Sequence, residues 1–316
     1  MQETYSNNLL NNDDSIDFRE LLQVLLEEKL ILFSITAFLS IAAVIYSLLL
    51  PNIYESKAIL VPVNPSTSIS GALGSYSSIA GLAGINLPSD IDASNSQKAI
   101  EKISSLSFFE NNIMPNIYLP DLMAIKAWDA DKNLPVYAID IYDVKNNIWI
   151  RDYSYPQKQI PSAQESYEVF KEEHLSLSED KKSGFITLRI KHQSPVIAKQ
   201  WAELIVKEIN NFYRLKDRLE SEKAVNYLNQ QILLTGLSEI QEALAQLLQE
   251  QTKKLTLIEA NEFYVFEYID PPAIMEKKSE PRRALICILG ALLGAMLSIL
   301  FVLFRHYFKF NADIAS

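Results

Sequence analysis

LILFSITAFLSIAAVIYSLLL, residues Leu30–Leu50, and ALICILGALLGAMLSILFVLF, residues Ala284–Phe304, decide how this chain is laid out. Each run is 21 residues long and holds no Asp, Glu, Lys or Arg. At about 1.5 Å of rise per residue either makes a helix of roughly 31 Å, which matches a bilayer hydrocarbon core about 30 Å thick. Charges stop the runs at their edges: Lys29 before the first, Arg282 and Arg283 before the second, Arg305 after it. Two crossings put both termini on one side of a membrane and nearly all the soluble mass on the other.

The first run reads as a retained anchor. A polar, acid-rich segment of 29 residues precedes it, and no small-residue cleavage pattern follows before Pro51. Arg19, Lys29, Arg305 and Lys309 favour cytoplasmic termini. Lys277, Lys278, Arg282 and Arg283 argue the other way, but long loops cross largely regardless of charge. The expected division is a cytoplasmic segment 1–29, a span 30–50, an exported domain 51–283, a span 284–304 and a cytoplasmic tail 305–316. The single cysteine, Cys287, lies inside the second run, so packing alone must hold the exported domain. Across 51–281 there are 31 acidic and 23 basic residues, a net of −8, which argues against a nucleic-acid or anionic-lipid surface.

From Ser15, the apolar positions Phe18, Leu21, Leu22, Leu25 and Leu26 predict a short amphipathic helix leading into the membrane. Tyr54–Val63 predicts a strand. The stretch Ser66–Ser89 holds Gly71, Gly74, Gly81 and Gly84, half of the glycines in the chain. It suits a flexible linker or a small-residue loop packing on a neighbouring subunit; no Lys-Ser/Thr follows at phosphate-loop spacing. Helices are expected over Asp92–Ile103, Leu106–Ile113 and Pro161–Leu175, the last with Ser162 as cap and Glu165 completing a capping box. Strands are expected over Val136–Val144 and, most clearly alternating, Phe185–His192.

Ser194-Pro195 opens a long helix, with neither Pro nor Gly from 196 to 235. Apolar residues recur through Trp201, Leu204, Ile209, Leu219 and Leu228, and 40 residues would extend about 60 Å. Thr235–Ser238 breaks the pattern and Glu239–Ile258 resumes it. The two long helices, over about 195–258, make either a hairpin or one kinked helix, and the stripe is not a regular heptad. Glu262–Ile269 is a last strand, able to pair with Tyr54–Val63. The fold class is therefore α+β: two transmembrane helices flanking a domain with a membrane-proximal α/β base and a long projecting helical hairpin.

No chemistry stands out. His174, His192 and His306 lie far from one another and from Cys287, so no metal-ligand spacing is present. No nucleophile elbow or Walker pattern occurs. Glu172-Glu173 and Glu179-Asp180 sit beside lysines and read as solvated charge. No catalytic, cofactor-binding or metal-binding residue is assigned. In the second span, Gly290, Gly294 and Ser298 put small residues on one helix face, which allows close packing within the chain or between subunits.

Ile16–Leu22, Tyr54–Ala58, Ser75–Asn86, Ser194–Ala202 and Glu276–Leu285, taken in that order, resemble the chain length determinant family of Wzz-type polysaccharide co-polymerases, of the O-antigen type. The family's G-x-x-x-G repeat falls on Gly290 and Gly294; Ser298 stands where glycine is often found. Its proline-rich lead into the second span falls on Pro271, Pro272 and Pro281, with Lys277 and Lys278 taking part of that stretch. The resemblance places the long-helix start at Pro195 and Trp201 and the glycine-rich loop at Gly81 and Gly84. The apolar recurrence adds Leu204 to the base packing of the long helix, and the glycine-rich composition of Ser66–Ser89 adds Gly71 and Gly74 to the loop.

The resemblance implies a non-enzymatic inner-membrane protein, with the bulk of the chain in the periplasm as a co-polymerase domain. It would set the chain length of a surface polysaccharide, the O-antigen of lipopolysaccharide. Implied partners are itself, in a ring-like homo-oligomer, an undecaprenyl-diphosphate-linked O-antigen polymerase, and the growing polysaccharide or its lipid-linked intermediate. No cofactor and no nucleic acid is expected. The alternative is an export adaptor of an ABC-type capsular polysaccharide system. A two-span receptor or a kinase-type co-polymerase would need an output domain, for which 29 and 12 flanking residues leave little room.

Overall fold

The computed structural model describes residues 25–63 and 91–314, so Gly71, Gly74, Gly81, Gly84 and the amphipathic lead as far as Val24 lie outside the described residues. In chain order the elements are α1 (Lys29–Leu49), β1 (Tyr54–Pro62), α2 (Ile91–Ile103), α3 (Leu106–Phe108), α4 (Leu119–Met123), β2 (Ile125–Asp129), β3 (Leu134–Tyr137), β4 (Tyr142–Asp143) and β5 (Ile148–Trp149). There follow α5 (Ala163–Val169), β6 (Leu175–Glu179), β7 (Ile186–His192), α6 (Pro195–Leu234), α7 (Ser238–Ala260), β8 (Phe266–Asp270) and α8 (Arg283–Ile314). Contacts divide the chain into two units, one holding α1 and α8, the other spanning Asn52–Ser279.

In the first unit α1 and α8 pack along each other. Both are long and apolar enough to cross a membrane, over Lys29–Leu49 and Arg283–His306, and most of their apolar side chains are exposed. A helix apolar all round is at home in lipid, where only a self-satisfied backbone is tolerated.

The second unit is α+β, the class the sequence implies. Its main sheet runs β6-β7-β1-β8, every neighbouring pair antiparallel. β7 alternates strictly, with Ile186, Leu188, Ile190 and His192 buried. Its partner β1 buries Ser56, Ala58 and Leu60 on the same side, in the register Tyr54↔His192 to Leu60↔Ile186. The inner part of α6 covers that face with Ala198, Trp201, Ala202, Ile205, Val206 and Ile209. Alanines four residues apart let the helix lie close to the strands, and the larger side chains each contribute about 1.5–3 kcal/mol by leaving water. Ser194 caps α6, accepting from the Ile197 N–H at 3.4 Å, and Pro195 occupies the first turn, where its missing N–H costs nothing.

α6 is 40 residues long. At Thr235–Leu237 the chain reverses, and α7 returns along α6. Gln241 Nε2 donates to the Thr235 carbonyl at 2.6 Å and ties the turn. Arg218 Nη1 meets Glu259 Oε1 at 3.3 Å across the two helices. The structure thus selects the hairpin over the kinked helix.

Five expectations change. The helix expected over Leu106–Ile113 is α3 followed by a π turn over Phe109–Ile113, and the strand expected over Glu262–Ile269 starts only at Phe266. Val136–Val144 is not one strand: β3 ends at Tyr137 and β4 starts at Tyr142. Between them Ile141 and Tyr142 donate to the Ala138 carbonyl, closing a turn. The turn brings Tyr137 and Tyr142 together against Tyr118, with ring centroids 5.9–6.3 Å apart. The helix from Ser162 relaxes into a π turn over Phe170–His174, and Leu175 already opens the edge strand β6. Only half of the capping box forms: Ser162 accepts from the Glu165 N–H at 3.2 Å, but the Glu165 carboxylate grips Arg151 in a two-pronged pair instead of turning back. A guanidinium fork offers a carboxylate more than one backbone N–H does, and Arg151 holds Glu165 below the usual carboxylate range.

Candidate functional site

Small residues line the seam between α1 and α8. A Cβ built on Gly290 would stand 2.3 Å from Ala43 Cβ, closer than real side chains come. On Gly294 it would stand 3.1 Å from Leu39 Cβ and 3.4 Å from the Thr36 carbonyl oxygen. Ser298 is buried and its Oγ lies 3.1 Å from Thr36 Oγ1. Each hydroxyl also has a carbonyl of its own helix in reach, Leu32 O at 2.8 Å from Thr36 and Ala295 O at 2.8 Å from Ser298, so one of the two donates along its helix while the other donates across the seam. Gly290, Gly294, Ser298 and the buried Val302 recur every fourth residue, so one face of α8 meets α1 of the same chain. Glu28 and Arg305 face each other at 3.7 Å beyond the apolar stretch. Close backbone approach and hydroxyl pairing are what hold helices together where lipid removes any hydrophobic drive between them.

In the second unit the proline lead-in runs back beside the start of β1. Pro271 is exposed and Pro272 buried directly after β8. Ser56 Oγ donates to Ala273 O at 2.9 Å, the Ser279 N–H to Ile53 O at 2.8 Å, and Lys278 Nζ to Asn52 Oδ1 at 3.1 Å. Pro281 belongs to the first unit, two residues before α8 starts at Arg283.

Pro195, Trp201 and Leu204 meet the core. Pro195 and Trp201 are buried and Leu204 packs partly buried beside them. The Trp201 ring sits 4.9 Å from His192, 5.3 Å from His174 and 5.8 Å from Phe170. Both histidines are buried. His192 Nδ1 accepts from the Ser194 N–H at 2.9 Å, so its proton is on Nε2, which donates to Asp121 O at 3.0 Å. His174 Nδ1 donates to Lys191 O at 2.6 Å. Burial disfavours the charged ring, pushing His192 down to about 4 and lowering His174.

Asn210 is the residue that sequence reasoning missed. Its Oδ1 accepts from the backbone N–H of Tyr264, Val265 and Phe266 at 3.2, 2.6 and 3.0 Å, while Nδ2 donates to Val206 O and Phe266 O at 3.0 Å each. It fastens the point where α6 leaves the sheet to the start of β8. The available signal was its spacing: Ala202, Val206 and Asn210 share one helix face, and an amide there must be satisfied. Arg214 reinforces the joint by donating to Asn261 O at 2.8 Å and Glu262 O at 2.6 Å.

Beyond Asn210 the hairpin is sparsely covered. In α6 only Ser221 and Leu228 are buried past that point, and in α7 only Ile258. Leu233 and Leu234 are 85% and 79% exposed, and Leu237 beside them 65%. Among the described residues no group of three His, Cys, Asp or Glu side chains could hold a metal ion. Glu172, Glu173, Glu179 and Asp180 are exposed; the Lys182 N–H and the Ser183 hydroxyl, at 2.9 Å each, hold Asp180 below its ordinary value.

The family model "chain length determinant protein" (Wzz) matches residues 14–113, and the model "G-rich domain on putative tyrosine kinase" matches 228–307. No curated protein matches the chain in sequence. Among solved structures it is similar to a full-length bacterial polysaccharide co-polymerase, at 15% identity over 93% of this chain and 98% of that one, with a TM-score of 0.43. It is also similar to a fragment of WzzB, a polysaccharide co-polymerase from Salmonella Typhimurium, at 13% identity over 72% of this chain and 100% of that one, with a TM-score of 0.35.

Proposed function

We propose that this chain, which belongs to the Wzz-type chain length determinant family, sets the length of a surface polysaccharide, the O-antigen of lipopolysaccharide, and makes or breaks no bond itself. The observation that carries the reading is the chain length determinant match over 14–113, which runs through the first apolar helix and β1 to Ile113, five residues past α3.

In this reading 30–50 and 284–304 cross the inner membrane. The domain 51–283 works in the periplasm, and 1–29 and 305–316 stay in the cytoplasm. Gly290, Gly294 and Ser298 set the packing of the spans. Pro271, Pro272 and Pro281 govern the lead into the second, and Pro195, Trp201 and Leu204 anchor the long helix. The exposed leucines of the hairpin favour a homo-oligomer, since a striped helix left open gains by burying that stripe against a second copy. The oligomer would hold an undecaprenyl-diphosphate-linked polymerase and its growing polysaccharide or lipid-linked intermediate, and act as scaffold or ruler.

The match of 228–307 to a domain named for putative tyrosine kinases favours a second reading, in which the polymer is capsular. One experiment separates the two. Lipopolysaccharide from a deletion strain is run beside that of its complemented parent. Under the first reading the ladder loses its preferred length cluster on deletion and regains it on complementation. An unchanged ladder with altered capsule rejects O-antigen control in favour of the second.

A further inference from the structure

At the root of the hairpin a cleft of about 270 Å³ opens between α2, α6, α7 and the β1 and β8 ends. Three lysines reach it from three different elements: Lys98 on α2, Lys216 on α6 and Lys254 on α7. Lys216 stands 3.9 Å from Glu220 and 5.8 Å over the Tyr213 ring. Lys98 and Lys254 have no ion-pair partner among the described residues, in a chain whose formal net charge is −10. Asp217 and Glu220 also line the cleft, and Asp217 Oδ2 accepts from the Tyr264 hydroxyl at 2.5 Å. Tyr213, Tyr264, Pro62 and Val265 supply apolar surface between the charges.

That mixture selects a ligand class. A simple inorganic anion is served by the lysines but repelled by Asp217 and Glu220. A neutral sugar is served by the carboxylates, which accept from hydroxyls, but leaves two ammonium groups idle. A carboxylated pyranose uses all of it: carboxylate to Lys98 and Lys254, hydroxyls to Glu220 and Asp217, and its C–H face on the tyrosine surface. We infer that this cleft binds an acidic sugar unit of a glycan chain. The inference rests on the reading above that the protein handles a growing polysaccharide, and it adds where a uronate-type unit is held.

The test uses the full chain in detergent micelles, titrated by calorimetry with tetragalacturonate, maltotetraose and inorganic phosphate. Tetragalacturonate is expected to bind saturably, and both other probes about tenfold or more weakly. Lys98→Gln with Lys254→Gln should weaken tetragalacturonate about tenfold at an unchanged melting midpoint, while Lys98→Arg with Lys254→Arg retains binding. Equal binding of the acidic and neutral tetrasaccharides overturns the inference, as does phosphate binding as tightly as tetragalacturonate. So does loss of binding in the arginine pair at native melting temperature, since charge would then not be what holds the ligand. Unaltered surface polymer in the deletion strain, together with tetragalacturonate binding, would reject length control and leave the cleft standing. Altered polymer with no tetragalacturonate binding would reject the cleft alone.

Discussion

Within α6 the same helical spacing meets two different environments. Trp201, Ile205 and Ile209 are buried against the sheet, whereas Leu215, Leu219 and Tyr227 are each about half exposed. The periodicity does not change along the helix; what changes is whether another element stands opposite. The inner part covers β1 and β7, and the outer part has only α7, which buries Ile258 alone. Asn210 marks the boundary, where an amide ties the helix to β8 before it leaves the sheet. A helix that is packed at one end and open at the other is anchored by its base and leaves its arm exposed.

The sharpest way to break this contrast is at its boundary. Asn210→Ala strands three buried backbone N–H groups and should cost about 4 kcal/mol, read by chemical unfolding of the full chain in detergent. A loss under about 1 kcal/mol would mean that water or a neighbour replaces the amide. Acid should act next, first through the buried histidines of the base. His192 is held down to about 4 against an ordinary 6.5, so the unfolded chain binds the proton first. Stability is therefore full above the ordinary value and falls as the pH drops from 6.5 towards 4, by roughly 3 kcal/mol. His192→Asn should flatten that slope; an unchanged slope assigns it to other groups.

The membrane seam provides a third test. Gly290→Val drives a side chain into Ala43 and should destabilise the α1–α8 pair by about 2 kcal/mol, seen as slower cysteine cross-linking between the two helices. In cells the same change should shift polymer length; normal expression with unchanged length would count against a role for the seam. The smallest effect on stability belongs to the tip. Leu234→Gln should change the unfolding free energy by less than about 0.5 kcal/mol and, if the proposed homo-oligomer forms through the hairpin, reduce its size by light scattering. A large loss of stability there would show that the arm is packed within its own chain after all.

Both apolar runs, the cap and proline at Ser194-Pro195, the full extent of α6 and the alternation of β7 could be read directly from the chain. Each is a local signal, set by spacing along a few turns and by which backbone groups a nearby side chain can satisfy. The division of Val136–Val144 into two strands could not be read that way, because the attraction that folds it is among Tyr118, Tyr137 and Tyr142 in space. Glu165 looked like a capping residue until Arg151, 14 residues away, came within reach. Nothing local to Asn210 names its partners, which lie 54 to 56 residues further along. The hairpin is expected from the break at Thr235–Ser238, and α7 does return along α6; the seating of Gly290 on Ala43 and the meeting of three lysines around one cleft belong with the Asn210 partners. A helix's length and exposed pattern follow from its own residues. What its polar groups bond, and which of its apolar residues stay open, depends on the element that folds against it, and only the tertiary structure supplies that.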